Sequence, residues 1–176
     1  VHKTVPRALK ALIDLGEIKL DGFLLPGHVS EIIGTRPYDF LAEEYGLACV
    51  ISGFEPLDIL QSVLMLVRQL KSRSPQVEIQ YKRGVRPEGN PKAIEIMAQA
   101  FEPSDVEWRG LGRIPGTGLA LQKELVELDA VRVFDLQVPL GRETKGCRCG
   151  DVLRGLLRPE GCALFAKVCT PLNPVG

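Results

Sequence analysis

The chain has 176 residues, of which 45% are hydrophobic and 25% are charged, a composition typical of a soluble globular protein with one or two domains. Lys and Arg together number 22, as do Asp and Glu, so no net charge directs the chain to nucleic acid or to an anionic membrane. Because a chain of this size buries about 70% of its unfolded surface, disulfide staples are not needed for stability.

The most apolar segment is too short and too polar to be a membrane helix. LDILQSVLMLVRQL contains Asp58, Gln61, Ser62 and Arg68, and falls short of the roughly 20 apolar residues that span a bilayer. The N-terminus lacks a charged and then apolar leader, which predicts a cytoplasmic protein with reduced thiols. Since the chain starts at Val1 and ends in NPVG, we expect a fragment of a longer protein.

The first half of the chain alternates between helix and strand. TVPRALKALIDLG predicts a helix with Pro6 in its first turn and Gly16 at its end, and GFLLP predicts a short buried strand. After the loop PGHVS, RPYDFLAEEYG predicts a second helix that ends at Gly46. LACVIS then predicts a second strand, and the loop GFEP leads into a long helix, LDILQSVLMLVRQLKS. The alternation predicts a Rossmann-like parallel α/β layer over residues 1–86, with ligands at the carboxyl ends of its strands.

From about Ser74 the alternation stops, and we place a domain boundary near residue 86. NPKAIEIMAQAF predicts a helix capped by Asn90, and LQKELVELDAVRVF predicts another helix. The glycine-rich segment between them, EWRGLGRIPGTG, is interpreted as a loop. Residues 87–176 are therefore predicted to form a mainly helical, irregular domain around a metal or iron–sulfur site.

Four of the five cysteines lie in the tail, between Cys147 and Cys169. Three interpretations stay open: a disulfide clamp, ligands of a metal or cluster, and small buried residues of the kind predicted for Cys49. Structural zinc sites usually use thiol pairs separated by about two to four residues, so the wider spacing here fits zinc poorly. A [4Fe–4S] cluster takes one thiolate at each iron and accepts irregular spacing. Metal or cluster ligation is therefore the favoured interpretation.

Two further side chains are candidate catalytic residues because each follows a predicted strand. A neutral imidazole at His28 can bind iron, move a proton or hydrogen-bond a thiolate, whereas the alternative is a histidine satisfied by backbone contacts. Glu55 precedes a helix whose N-terminal amides can hold an anion, and the alternative for Glu55 and Asp58 is helix capping.

Trp108 and Arg109 also have two interpretations. They can present an aromatic ring and a cation to a neighbouring domain or partner. The preferred interpretation is that Trp108 covers the core and Arg109 pairs with an acid.

Four motifs together resemble a known family: PGHVSEIIGT (26–35), GFEPLDIL (53–60), EWRGLG (107–112) and the tail CRCGDVL…GC…C. In this order, over nearly the whole chain, they resemble the C-terminal half of the HypD hydrogenase-maturation proteins. The resemblance implies that the α/β domain is part of the family's central domain and that the C-terminal domain holds a [4Fe–4S] cluster. It also implies an assembly scaffold with a redox role, which carries iron with cyanide and carbon monoxide ligands for [NiFe]-hydrogenases.

The same resemblance assigns residues and partners. It implies three cluster ligands, Cys149, Cys162 and Cys169. The fourth ligand is expected downstream of Gly176, with Cys147 in reserve, while His28 and Glu55 are expected to line the cleft where the iron and its ligands are assembled. The implied partners are a HypC-type chaperone, a HypE-type cyanide donor and, indirectly, the hydrogenase large subunit. Because the family's N-terminal half is absent, the chain alone is expected to lack full activity.

Two other classes of function stay open. The first is an α/β module that binds a nucleotide or other ligand and carries a structural metal site. The sequence contains neither G-x-G-x-x-G nor G-x-x-x-x-G-K-[ST], and the absence of both motifs counts against nucleotide binding. The second is an interaction module with inert cysteines, which would contain no iron after anaerobic purification.

Overall fold

The computed structural model describes residues 2–16, 18–137 and 144–176. Its strands are β1 (His2–Lys3), β2 (Gly22–Pro26), β3 (Ala48–Ser52), β4 (Val77–Ile79), β5 (Phe101–Trp108) and β6 (Gly112–Leu121). Its α-helices are α1 (Val5–Asp14), α2 (Gly27–Ile33), α3 (Asp39–Glu43), α4 (Pro56–Ser72), α5 (Pro91–Ala100), α6 (Ala130–Val133) and α7 (Cys149–Leu153). Short 3-10 helices lie at Arg36–Tyr38, Lys123–Leu128 and Pro159–Gly161. Within the described ranges, no helix has the length and apolar character needed to cross a membrane.

The chain forms two compact units. The hairpin unit contains Val1–Lys19 and Ala100–Gly176, and the parallel-sheet unit contains Leu20–Gln99. This division differs from the single predicted boundary near residue 86, because α1 packs on β6 and so belongs with the C-terminal residues. The predicted helix with Pro6 in its first turn is confirmed as α1.

The parallel-sheet unit is built on three parallel strands in the order β2-β3-β4. The central strand β3 is buried at every residue, which is why LACVIS is almost entirely apolar. Both strands predicted from apolar runs, β2 and β3, are confirmed, and the α/β class holds. β4 was not predicted, because a strand of three residues gives little periodicity. The predicted loop PGHVS is wrong in part, since α2 begins at Gly27 and continues through these residues.

The long helix α4 packs on the sheet through polar residues. Ser62 Oγ donates a hydrogen bond to Ser52 Oγ at 2.8 Å. Gln69 Nε2 donates to the Cys49 carbonyl oxygen at 3.2 Å and to Glu78 Oε2 at 2.7 Å, while Gln69 Oε1 accepts from the Gln76 N–H at 3.1 Å. These bonds satisfy polar groups that would otherwise lie buried without partners. They also fix which side of α4 faces the sheet.

The hairpin unit is built on β5 and β6, an antiparallel pair in which Trp108 lies opposite Gly112, with β1 beside β6. The prediction of a loop at EWRGLGRIPGTG is therefore wrong: Gly110 and Gly112, each with φ near 77°, allow the tight turn that reverses the chain. The Trp108 indole N–H donates to the buried Thr117 Oγ1 at 2.8 Å, so Trp108 covers the core as preferred above.

The predicted helix over LQKELVELDAVRVF is also wrong. Leu121 ends β6, and a 3-10 helix and the short helix α6 follow it. Asp129 interrupts the pattern, because its side chain accepts a hydrogen bond from the Val131 N–H at 3.0 Å and so starts a new helix. The second half of the chain is consequently not mainly helical. In contrast, the predicted cap of α5 is confirmed, since Asn90 Oδ1 accepts from the Ala93 N–H at 3.1 Å.

Replacing Gln69 tests the polar packing of α4. In Gln69→Leu, the Cys49 carbonyl and the Gln76 N–H lose a buried partner, so we expect the free energy of unfolding to fall by roughly 2–4 kcal/mol. Urea denaturation followed by circular dichroism measures this difference. The control is Gln99→Leu, an exposed position on α5 of the same unit, with an expected change within about 0.5 kcal/mol. Equal denaturation midpoints for the two variants would contradict this packing.

Candidate functional site

The four tail cysteines all lie in the C-terminal part of the hairpin unit, among short helices and turns. Cys149 begins α7, and Cys147 lies two residues before it. Cys162 follows the 3-10 helix at Pro159–Gly161, and Cys169 forms an isolated β-bridge with Phe165. All of the chain's cysteines are in the described ranges, and none of them forms a disulfide. The structure therefore contains no disulfide clamp.

The four tail sulfurs share one electrostatic environment. The pKa of Cys149 is raised, first by a hydrogen bond with the Cys147 thiol and then by burial. The neighbouring thiols of Cys147, Cys169 and Cys162 raise the same pKa further, because their ionised forms repel a second thiolate. The structure thus brings together the three predicted ligands and the reserve, Cys147.

Backbone N–H groups point at two of these sulfurs. The pKa of Cys162 is lowered, mainly by a hydrogen bond from the Leu164 N–H, with smaller contributions from the backbone of Arg148 and Phe165. The Val175 N–H donates to Cys169 Sγ at 3.4 Å. Such donors stabilise thiolates, and backbone N–H groups commonly hydrogen-bond sulfur atoms that are bound to metal.

The turn of the β5–β6 hairpin supports the first cysteine pair. A Cβ atom added to Gly150 would overlap the carbonyl oxygen of Gly110, so the two backbones are in direct contact at residues that only glycine permits. Arg109 donates to the Val175 carbonyl oxygen at 2.5 Å. The expected pairing of Arg109 with an acid is therefore replaced by a bond to the backbone of the tail.

Charged side chains surround the pocket next to Cys147 and Cys149. This open pocket has a volume of about 480 Å³ and includes Arg109, Arg148 and Asp151 in its lining. Asp151 accepts hydrogen bonds from Arg148 and Arg154, and the pKa of Asp151 is lowered, mainly by the bond from Arg148. The positive charge of Arg148 also contributes to the lowered pKa of Cys162.

A single-ion site and a cluster site require different arrangements of thiolates. Within the described residues, no group of three or more His, Cys, Asp or Glu side chains could hold one metal ion. A single zinc ion needs its thiolates about 2.3 Å from one centre, whereas a four-iron cluster binds each thiolate at a different iron. Four interacting thiols with N–H donors are the donor chemistry of such a cluster.

A second candidate site lies in the parallel-sheet unit, at the carboxyl ends of β2, β3 and β4. A Cβ atom on Gly27 would lie 2.5 Å from the Ser52 carbonyl oxygen and 2.9 Å from the Tyr81 ring. A Cβ atom on Gly53 would also lie 2.9 Å from that ring. Glycine at both positions therefore lets Tyr81 pack against the ends of two strands.

Both predicted catalytic residues lie at this edge of the sheet. His28 is exposed at the start of α2, and its ring centroid is 5.1 Å from that of Phe54. Glu55 precedes α4 with an exposed carboxylate, and Glu55 Oε2 is 3.8 Å from Arg83 Nη2. The side chain of Glu55 makes no capping hydrogen bond.

The buried side chain of Asp58 accepts hydrogen bonds from several residues of the same edge. Its side chain is only 4% exposed and accepts hydrogen bonds of 2.8 Å from Gln80 Nε2 and from Arg83 Nη2. The pKa of Asp58 is lowered, first by the bond from Gln80, then by Arg83 and by the backbone N–H of Glu55. The last bond is the capping role considered for Asp58, since an acid at the third helical position can bond back to the residue before the helix.

Three residues at this edge were not predicted from the sequence: Gln80, Tyr81 and Arg83. Gln80 Oε1 accepts from the Gly53 N–H at 3.1 Å, and the Arg83 guanidinium lies 5.1 Å from the centroid of the Tyr81 ring. All three follow β4, so missing that strand hid them. The alternation Val-Glu-Ile after Pro75 was the available signal.

Taken by its fold, the chain is a mixed α/β protein with a group of interacting thiols in its C-terminal tail. The family described as "HypD: Hydrogenase formation hypA family" matches residues 1–176, and the chain belongs to this family. The resemblance found in the sequence is confirmed.

Curated relatives carry names from hydrogenase maturation. The chain is 44% identical over 183 residues to the "Hydrogenase maturation factor HypD" of Cupriavidus necator, an alignment that covers 99% of this chain and 48% of that relative. It is 47% identical over 182 residues to the protein of the same name from Rhizobium leguminosarum bv. viciae, covering 99% of this chain and 47% of that relative. The chain spans about half the length of the curated relatives it matches.

Alkylation rates test the environment of the thiols. In the reduced, metal-free chain near neutral pH, iodoacetamide is expected to modify Cys162 faster than Cys149, because a lower pKa leaves more of the reactive thiolate. Cys49 is the internal control and should react last, since burial raises its pKa to about 12. Mass spectrometry of tryptic peptides measures each rate, and Cys149 reacting before Cys162 would contradict the described hydrogen bonds.

Proposed function

We propose that this chain is part of a scaffold that assembles or carries the Fe(CN)2CO group for the active site of [NiFe]-hydrogenases. Family membership and the printed names of the relatives support a role in hydrogenase maturation. The observation that carries the proposal is the interaction of the Cys149 thiol with the three other thiols of the tail. A scaffold that assembles the iron group with redox help needs such a set of interacting thiols. We therefore propose an assembly scaffold rather than a classical enzyme.

The proposed resident cofactor is a [4Fe–4S] cluster with Cys149, Cys162 and Cys169 as ligands. When bound, such a cluster supplies one-electron redox chemistry. The N–H groups of Leu164 and Val175 orient the sulfurs of Cys162 and Cys169 and offset part of their negative charge.

The fourth ligand of the cluster has two candidate sources. Cys147 is the reserve within this chain, and its thiol already hydrogen-bonds that of Cys149. The family resemblance instead assigns the fourth ligand to a residue downstream of Gly176.

In this proposal the iron of the Fe(CN)2CO group is the substrate. It is assembled at the edge formed by the carboxyl ends of the parallel strands. The His28 imidazole holds or moves a proton there, and its contact with Phe54 limits the orientations of the ring. The Glu55 carboxylate lies 3.8 Å from the Arg83 guanidinium, which is itself held by Asp58. The proposed partners are a HypC-type chaperone, a HypE-type cyanide donor and, indirectly, the hydrogenase large subunit, all in the cytoplasm.

Cluster reconstitution tests the thiol assignment. After anaerobic treatment with iron and sulfide, the chain is expected to bind about four iron atoms per molecule and to give the paramagnetic resonance spectrum of a reduced [4Fe–4S] cluster. Cys162→Ser should lose most of this iron, because serine replaces one thiolate ligand. The control Cys49→Ala, which changes the buried cysteine outside the tail, should keep it.

The possible outcomes of reconstitution separate the rival functions. Equal iron in the wild type and Cys162→Ser would overturn the ligand assignment. One tightly bound metal ion without sulfide would favour the α/β module with a structural metal site. No iron at all, in this chain and in the complete protein, would favour an interaction module with inert cysteines.

His28→Ala tests the sheet edge in the complete protein. We expect hydrogenase maturation to fall to less than a tenth of the wild-type level while iron and sulfide content stay unchanged, because the imidazole belongs to the assembly cleft and not to the cluster. The matched control is His2→Ala, which removes the chain's other histidine, a residue whose ring contacts Phe101. Normal hydrogenase activity in cells that carry His28→Ala would reject the proposed role of His28.

A further inference from the structure

The side of α4 that faces away from the sheet is almost entirely apolar. Its seven large apolar side chains are between 37% and 67% exposed. This outer face of α4 consists of Leu57, Ile59, Leu60, Val63, Leu64, Val67 and Leu70. A helix of 17 residues is about 25 Å long, so the outer face is far larger than a single exposed leucine on an ordinary surface.

The orientation of α4 is opposite to that of a surface helix. Surface helices normally turn their apolar stripe to the core and their polar residues to water. In α4 the buried residues are polar, namely Asp58, Ser62 and Gln69. Their hydrogen bonds to β3 and to residues around β4 hold this orientation, so α4 cannot rotate its apolar side inward without leaving those groups unpaired.

We propose that the outer face of α4 is covered by the half of the family's polypeptide that this chain does not span. The alignments to the two relatives named above cover 99% of this chain but only 47% to 48% of each relative, so both relatives contain a further segment of similar size. The polar side of α4 already packs on the sheet, so a second layer of structure can pack on its apolar side and place the helix in the middle of a layered protein. The proposal rests on family membership and length, and does not depend on the cluster.

The charges on α4 indicate the chemistry of the covering segment. Arg68 and Lys71 are exposed and lie near the C-terminal end of the outer face. A complementary surface therefore has an apolar centre with carboxylates at one end, which would pair with these two cations at the rim. A second copy of the chain is the competing occupant, and its presence is an outcome of the test below.

The test compares the accessibility of one position in two proteins. Val67→Cys is placed in the 176-residue chain, and the aligned substitution is placed in the full-length relative from Rhizobium leguminosarum. The rate of maleimide labelling is then measured by peptide mass spectrometry. We expect labelling at position 67 to be at least tenfold slower in the full-length protein. The control Leu128→Cys and its aligned counterpart report general differences in reactivity, since Leu128 is 74% exposed in the hairpin unit.

A second pair of variants tests the same face through stability. The substitution Val67→Glu should lower the melting temperature of the full-length protein by several degrees, because it buries an unpaired charge, and should leave that of the 176-residue chain unchanged. Leu128→Glu is the control in both proteins.

Three results would overturn the proposal. The first is equal labelling of position 67 in the two proteins. The second is an unchanged melting temperature for Val67→Glu in the full-length protein. The third is a concentration-dependent dimer of the full-length protein, seen by analytical ultracentrifugation and abolished by Val67→Glu, which would show that a second copy covers the face. Failure of iron binding in the reconstitution experiment would leave all three measurements unaffected.

Discussion

The buried carboxylate of Asp58 is the interaction on which the parallel-sheet unit depends. It joins the start of α4 to Gln80 and Arg83, which follow the edge strand β4, and it also accepts a bond from the backbone of Glu55. Directional bonds to buried polar groups tolerate little rotation or sliding of a helix. Asp58 therefore positions Glu55 at the sheet edge and, together with Ser62 and Gln69, sets the outward direction of the apolar side of α4.

The tail of the hairpin unit has no apolar core around its thiols, since none of residues 144–176 is fully buried. Short helices and turns hold the tail instead, and the close approach of Gly110 and Gly150 fixes it to the β5–β6 hairpin. Four thiolates held this close would repel one another unless a cation compensated for their charge. Under the proposed function, folding of the tail and binding of the cluster are therefore coupled.

The sequence predicts elements well where several local signals agree. α1 and α4 combine helical periodicity with a proline in the first turn, and β2 and β3 are apolar runs between turn residues. The β5–β6 hairpin was missed because its glycines and prolines resemble a loop, although its alternating burial is clear in three dimensions. Strand pairing depends on partners that are distant along the chain, and local periodicity does not contain that information.

The candidate sites follow the same division. The positions of His28 and Glu55 at the sheet edge were predictable, because the carboxyl ends of parallel strands meet at one edge. This rule needs only the order of the elements. The positions of Arg83 and Tyr81 at this edge were not predictable, since they depend on the three-residue strand β4. The nearness of Cys147 to Cys149 also requires the fold, because a spacing of two residues allows side chains either to meet or to diverge.

The opposite pKa shifts of two thiols bear on how the tail would take up a metal group. Cys162 has a lowered pKa because N–H donors stabilise its thiolate before any cation is present. The pKa of Cys149 is raised by its hydrogen bond with Cys147, by burial and by the surrounding thiols, so it ionises readily only when positive charge is already nearby. As pH rises, the Cys162 thiol therefore ionises before the Cys149 thiol, which makes Cys162 the first thiolate available to the proposed cluster.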